Sequence, residues 1–146
     1  MMEIRNLDRD NLRLDNQLLA QRLMPWPVLN APFEGSWCLV QPGSASGPHG
    51  HHEYEIWVAM TGKAKIICDG EEKPFVAGDI AHFTPGSVHQ VVNDSDQDFQ
   101  MYSVWWDTEL AAQFAKRHEA AQSTEAREAT QSTEALSTEA REAARG

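Results

Sequence analysis

Between residues 36 and 106 the chain is cut by turn signals into runs too short and too apolar to be helices. The runs fall at 36–40, 54–60, 63–69, 80–83, 88–93 and 98–106, and each is rich in β-branched or aromatic residues. Thr61-Gly62, Asp69-Gly70, Gly78-Asp79 and Pro85-Gly86 punctuate them. Each pair supplies a residue tolerant of positive φ or one with a preset φ, as tight reversals require. Many short strands at near-even spacing, with no helix between them, predict an all-β sandwich or barrel.

Outside this block the pattern changes. All five Trp, five Phe and two Tyr lie between Trp26 and Phe114, so the folded unit should hold about 110 residues rather than the whole chain. Residues 1–30 read as an arm lying on the barrel or one helix, with Leu at 7, 12, 14, 18, 19 and 23 in a weak amphipathic mixture. The barrel is expected over 31–106. Asp107 can cap a short docked C-terminal helix over 107–120, in which Leu110 and Phe114 share a face. From 121 to 146 the composition collapses to Ala, Glu, Thr, Ser, Gln and Arg, and the heptapeptide at 123–129 recurs at 137–143. Leu136 is its single large apolar residue, so no coiled-coil seam is possible and a semi-rigid, partly helical linker is predicted. Such a linker is expected to lead into a further domain.

A formal net charge of −10, with no local cluster of Lys or Arg, argues against binding nucleic acid through this chain. The first 21 residues are too polar for a signal peptide, and no apolar run approaches membrane-spanning length. A cytoplasmic location is expected. Cys38 and Cys68 lack C-x-x-C spacing and read as reduced thiols.

The chemistry is concentrated at 49–55. His49, His51 and Glu55 have the same parity, so an extended segment would project all three from one face. Imidazole and carboxylate together suit Zn, Fe, Ni, Cu or Mn. His52 has the opposite parity. His82 and His89 are the later histidines of the β block, and His89 is the better fourth donor, because it follows a turn and opens a strand able to pack across from 49–55.

Gly43, His49, His51, Glu55 and Gly62, followed by Gly78, Asp79, Gly86, His89 and Asn93, resemble the two motifs of the cupin family with their spacings in register. One departure occurs: Thr84 stands where the usual proline is expected, and Pro85 follows it. The resemblance covers about residues 35–106. It implies a single small antiparallel jelly-roll barrel, or double-stranded β-helix. It also implies a site for one divalent metal ion held by His49, His51, Glu55 and His89.

Other positions are candidates for pocket or proton-transfer roles. Glu53 shares the ligands' parity and Tyr54 adjoins them, so both are weak candidates for catalytic groups, with a solvated rim carboxylate the plainer reading of Glu53. Trp57 should face the interior, as pocket wall or as core. His82, Tyr102 and Trp105 are candidate substrate contacts, while His118 is read as a helix-end residue.

A narrower resemblance concerns the Pro-His-Gly-His-His-Glu-Tyr-Glu-Ile-Trp segment followed by the Ala/Glu/Ser/Thr stretch. Together they look like the N-terminal zinc cupin of bacterial hydrazine-forming enzymes, in which the cupin is fused to a methionyl-tRNA-synthetase-like domain. That likeness implies zinc rather than iron, nickel or manganese, an amino-acid-derived substrate, and a covalently linked synthetase-like domain after residue 146. The implied activity is rearrangement of an aminoacyl ester of an N-hydroxylated amine to form an N–N bond. A homodimer is expected. The alternatives are a stand-alone metal-dependent oxygenase or isomerase and a non-catalytic small-molecule-binding cupin.

Overall fold

The computed structural model describes residues 1–145; Gly146, the end of the tail, lies outside the described residues. Two compact units result, Met1–Thr108 and the residues from Glu109 onward. Within the first, nine antiparallel strands form two sheets. The strands are β1 (Arg13–Asp15), β2 (Leu18–Arg22), β3 (Phe33–Val40), β4 (Tyr54–Thr61), β5 (Lys63–Cys68), β6 (Glu71–Val76), β7 (Ile80–Phe83), β8 (His89–Val92) and β9 (Phe99–Trp106). The larger sheet has the order β1-β2-β3-β9-β4-β7 and the smaller β6-β5-β8.

Residues 1–30, read as an arm or a helix, instead supply a 3-10 turn at Arg9–Asn11 and the hairpin β1–β2. The hairpin joins the larger sheet, so the barrel begins near residue 13, not 31. Its turn places Asn16 and Gln17 at φ 48° and 66°, the paired positive angles of a two-residue hairpin loop. A Gln in that place gave no turn signal. β6 also escaped the pattern, because Glu71, Glu72, Lys73 and Pro74 mask its alternation. It lies at the edge of the smaller sheet, where a proline costs no ladder hydrogen bond on the solvent side.

Register stacks the inward side chains in layers across the larger sheet. Ala20, Cys38, Met101 and Ala59 form one layer, Arg22, Ser36, Ser103 and Trp57 the next, and Glu34, Trp105, Glu55 and Phe83 a third. The first layer packs with Val40, Phe99, Ile66, Phe75 and Val91 into the apolar core between the sheets. Each fully buried side chain of this size contributes about 1.5–3 kcal/mol. The layers therefore run from apolar to polar, and the polar end carries the site.

The second unit is one helix, α1 (Thr108–Arg145). It continues through the segment read as a partly helical linker, and residues 112–141 are all exposed. Ala, Glu, Gln and Arg favour helix. Thr124, Thr130, Thr133 and Thr138 each donate their hydroxyl to the carbonyl four residues back at 3.0–3.1 Å, so these β-branched residues cap no break. No helix is long and apolar enough to cross a membrane among the described residues.

Candidate metal centre

The structure brings His49, His51, Glu55 and His89 together, with one donor atom from each lying within 4.8 Å of all the others. They arrive by different routes. Glu55 is an inward residue of β4 and His89 the first residue of β8. His49 and His51 precede β4 rather than extending it. His49 is fixed by a two-way backbone pairing with His89, N to O at 3.1 and 2.9 Å. His51 is held by its carbonyl, which accepts from Gly86 N at 2.7 Å. Strand parity thus accounts for Glu55 and Trp57, whereas loop hydrogen bonds place the first two histidines.

The rings are oriented from behind. His51 Nδ1 donates to Glu53 O at 3.2 Å and His89 Nδ1 to Ser87 O at 3.1 Å. A carbonyl can only accept, so the proton sits on Nδ1 and Nε2 is the atom turned inward. His49 Nδ1 lies 3.4 Å from Gly47 O and 2.9 Å from Asn16 Nδ2. Phe83 stacks on His89 at 4.1 Å between centroids and Trp57 meets its edge at 5.2 Å, leaving His89 buried. Trp57 Nε1 donates to Glu55 Oε1 at 2.6 Å.

This donor set fits a cation. His89 Nε2 lies 3.0 Å from Glu55 Oε1, His51 Nε2 3.2 Å from Glu55 Oε2, and His49 Nε2 4.0 Å from Glu55 Oε1. Ligands about 2.1 Å from one ion and 90–109° apart are themselves about 3.0–3.4 Å apart, which the two shorter separations match. Inward lone pairs facing a carboxylate repel it unless a positive charge lies between them, either a second proton carried on Nε2 or a metal ion. Burial pushes the Glu55 carboxyl up, but hydrogen bonding and charge from His89, then Trp57 and His51, hold it below its ordinary range. Burial, with His89 beside it, pushes His49 down. Both groups are thereby kept in the ligand form, carboxylate and neutral imidazole.

A cavity of about 310 Å³ adjoins the cluster. It is lined by His49, His51, Glu55 and Trp57 and by residues not anticipated from the sequence: Asp15, Asn16 and Arg22 of the hairpin, Ser36 and Cys38 of β3, Ser46, and Met101 and Ser103 of β9. Trp105 lines it too. The odd parity of Met101, Ser103 and Trp105 would have marked them once one inward residue of β9 was known.

Four other candidates, Tyr102, His82, Tyr54 and Glu53, are absent from the cavity wall. Tyr102 alternates with Met101 and Ser103 and so faces outward, against Gly35. His82 is exposed and stacks on Tyr54 at 5.8 Å, and Tyr54 in turn stacks on Trp106 at 6.0 Å, all on the outer face of the sheet. Glu53 contributes its carbonyl to His51, and its side chain is absent from the cavity wall. Cys38 is in the wall, but burial, against hydrogen bonds from Ser36 and Ser103, pushes its thiol up to about 11. It is a neutral wall group rather than a nucleophile.

Residues 36–105 match the family described as the Cupin domain. The chain is 66% identical to a Cupin 2 conserved barrel domain protein from Salinispora arenicola, covering 81% of this chain and 99% of that one with a TM-score of 0.73. It is 39% identical to the plu4264 protein from Photorhabdus luminescens, covering 82% and 99%, with a TM-score of 0.72. A curated relative, the oxalate-binding protein of Thermotoga maritima, is 31% identical over 64 residues, which are 43% of this chain and 53% of that protein. The chain thus spans about half the length of that curated relative. With two motifs, two antiparallel sheets and relatives matched almost end to end, this chain belongs to the cupin family.

Proposed function

We propose that this cupin is a metal-dependent enzyme acting on a small amino-acid-derived substrate, and that it converts an aminoacyl ester of an N-hydroxylated amine into a hydrazine. The observation that carries the coarser part is the convergence of three Nε2 atoms and one carboxylate at the end of a cavity of small-molecule size. A divalent ion, zinc in our reading, would be held by His49, His51, Glu55 and His89 and would supply Lewis acidity toward a carboxylate oxygen.

The reaction is an isomerisation. The α-amine of the aminoacyl group attacks the ester-linked nitrogen, the N–N bond forms, and the N–O bond breaks with its electron pair leaving on the carboxylate. One amine proton is released to water. The N–O bond is the internal oxidant, so no redox partner is required, which favours zinc over a redox-active ion. Trp57 holds Glu55 in place through its indole N–H. Leu18, Ala20, Cys38 and Met101 give the cavity an apolar floor that restricts water near the reacting atoms. The extended helix after residue 108 supports the notion of a tether to a synthetase-like domain that makes the ester. The same reading includes a homodimer.

The test is reconstitution. The zinc-loaded protein, a synthetase-like partner, ATP, N6-hydroxylysine and a second amino acid should give a hydrazine-linked product. Glu55→Ala or His89→Ala should stop product while ATP consumption continues. Unchanged product from these variants would sink the proposal. The name of the Thermotoga maritima relative favours a second reading, a cupin that binds oxalate or a similar small dicarboxylate. Saturable binding of oxalate to the metal-loaded protein, and no hydrazine in the reconstitution, would select it.

A further inference from the structure

The inward face of β2 reads Leu18, Ala20, Arg22. Two apolar residues and then a cation face the same interior, and packing has no use for the third. Arg22 pairs across the sheet with Ser36, which pairs with Ser103 and then Trp57, so it belongs to the polar layer next to the metal centre. Three inter-strand spacings of about 4.8 Å, along a curving sheet, separate the backbones of Arg22 and Trp57.

The guanidinium is fixed on two sides. Its Nε donates to Asp15 Oδ2 at 2.7 Å, and its Cζ lies 4.8 Å from the centre of the Trp105 ring. Both Asp15 and Trp105 line the cavity. Among the described residues neither Nη of Arg22 nor Oδ1 of Asp15 has a hydrogen-bond partner. With side-chain exposures of 47% and 37%, an ion pair of this kind adds little to stability. What it does provide is a planar two-nitrogen edge beside a single carboxylate oxygen, both at the cavity wall and both oriented before any ligand arrives.

We propose that Arg22 and Asp15 clamp the zwitterionic head of an α-amino acid: the Nη edge receives the α-carboxylate, Asp15 Oδ1 receives the α-ammonium, and Trp105 holds the guanidinium plane. The inference rests on the amino-acid-derived substrate proposed above and adds to it which end of the substrate lies where. The head group sits at the hairpin, and the reacting nitrogen extends along the cavity toward Glu55. A pair of opposite charges suits a zwitterion and gives no advantage to a simple dianion. The clamp therefore selects against small dicarboxylates at the same site.

The experiment is titration calorimetry on the zinc-loaded full chain with three probes: N6-hydroxylysine, its analogue lacking the α-carboxylate, and its analogue lacking the α-ammonium. Each truncation should weaken binding roughly ten- to a hundredfold, the range for one charge-assisted contact. Arg22→Gln should abolish the difference made by the carboxylate and leave that made by the ammonium. Asp15→Asn should do the reverse, and neither should change zinc content. Equal affinity for all three probes, no binding of any at millimolar concentration, or variants that weaken all three equally would overturn the clamp. The two proposals fail separately. Selective binding without N–N product in the reconstitution leaves the clamp standing and removes the reaction. Product formed equally well from head-group-truncated substrates does the opposite.

Discussion

Trp57 carries two functions on one ring, and they separate by substitution. Its indole walls the cavity, and its N–H fixes Glu55 Oε1 at 2.6 Å. Trp57→Phe keeps most of the apolar surface and removes the hydrogen bond that orients a ligand. Zinc affinity should fall about 10- to 100-fold, the usual cost of losing such support. Competition against a chelator measures it, and unchanged affinity would show that Glu55 is held by the histidines alone. Acid should act on the same residues. Glu55 and His49 both have folded-state pKa values below their ordinary 4.5 and 6.5, so the unfolded chain takes up their protons first. Stability then rises with pH across both ranges. The melting temperature of metal-free protein should fall below pH 6.5 as the His49 contribution is lost, and again below 4.5 as that of Glu55 is lost. A flat profile from pH 7 to 4 would contradict these shifts. At this scale strand parity made Glu55 legible and the turn before β8 pointed to His89, whereas His49 and His51, which loop hydrogen bonds place, were legible through the spacing of the family motif. Tyr102 and His82 were not, since parity says which residues share a face but not which face is inward.

Gly62 shows why the turns of this barrel are chemically restricted. It joins β4 to β5 at φ 84°, and a Cβ there would lie 2.6 Å from Asp98 O, a backbone atom that cannot swing aside. Gly62→Ala meets both an unfavourable φ and a clash, and should destabilise by about 1–3 kcal/mol in chemical unfolding. Neutral behaviour would mean that the turn relaxes freely. The strands ending at such turns could be read from the sequence to within a residue or two, because Gly at a reversal is a local requirement. The hairpin β1–β2 and the edge strand β6 could not. The inward face of β2 ends on Arg22, and β6 carries Pro74 and a single buried residue, Phe75, so it is their neighbours in the sheet, not their own periodicity, that make them strands. That omission also hid Asp15, Asn16 and Arg22, the polar wall of the cavity.

The larger sheet has two apolar faces, and a barrel has use for only one. Inward, Trp57, Ala59 and Met101 reach the core. Outward, Ile56 is paired with Val104 and His82, and Val58 with Tyr102 and Ile80, while Tyr54 stacks between His82 and Trp106. Ile80, on the edge strand of this sheet, is 68% exposed. A contiguous apolar outer face is the mark of an interaction surface, and in a homodimer a two-fold axis would bring the same face of each copy together. Light scattering should therefore give twice the mass of one chain. Ile80→Lys should shift the population toward monomer without altering zinc content, because the side chain points away from the centre and its exposure makes misfolding an unconvincing cause. A wild-type protein that remains monomeric at micromolar concentration would remove the homodimer from the proposed assembly and leave the metal centre, built within one chain, untouched.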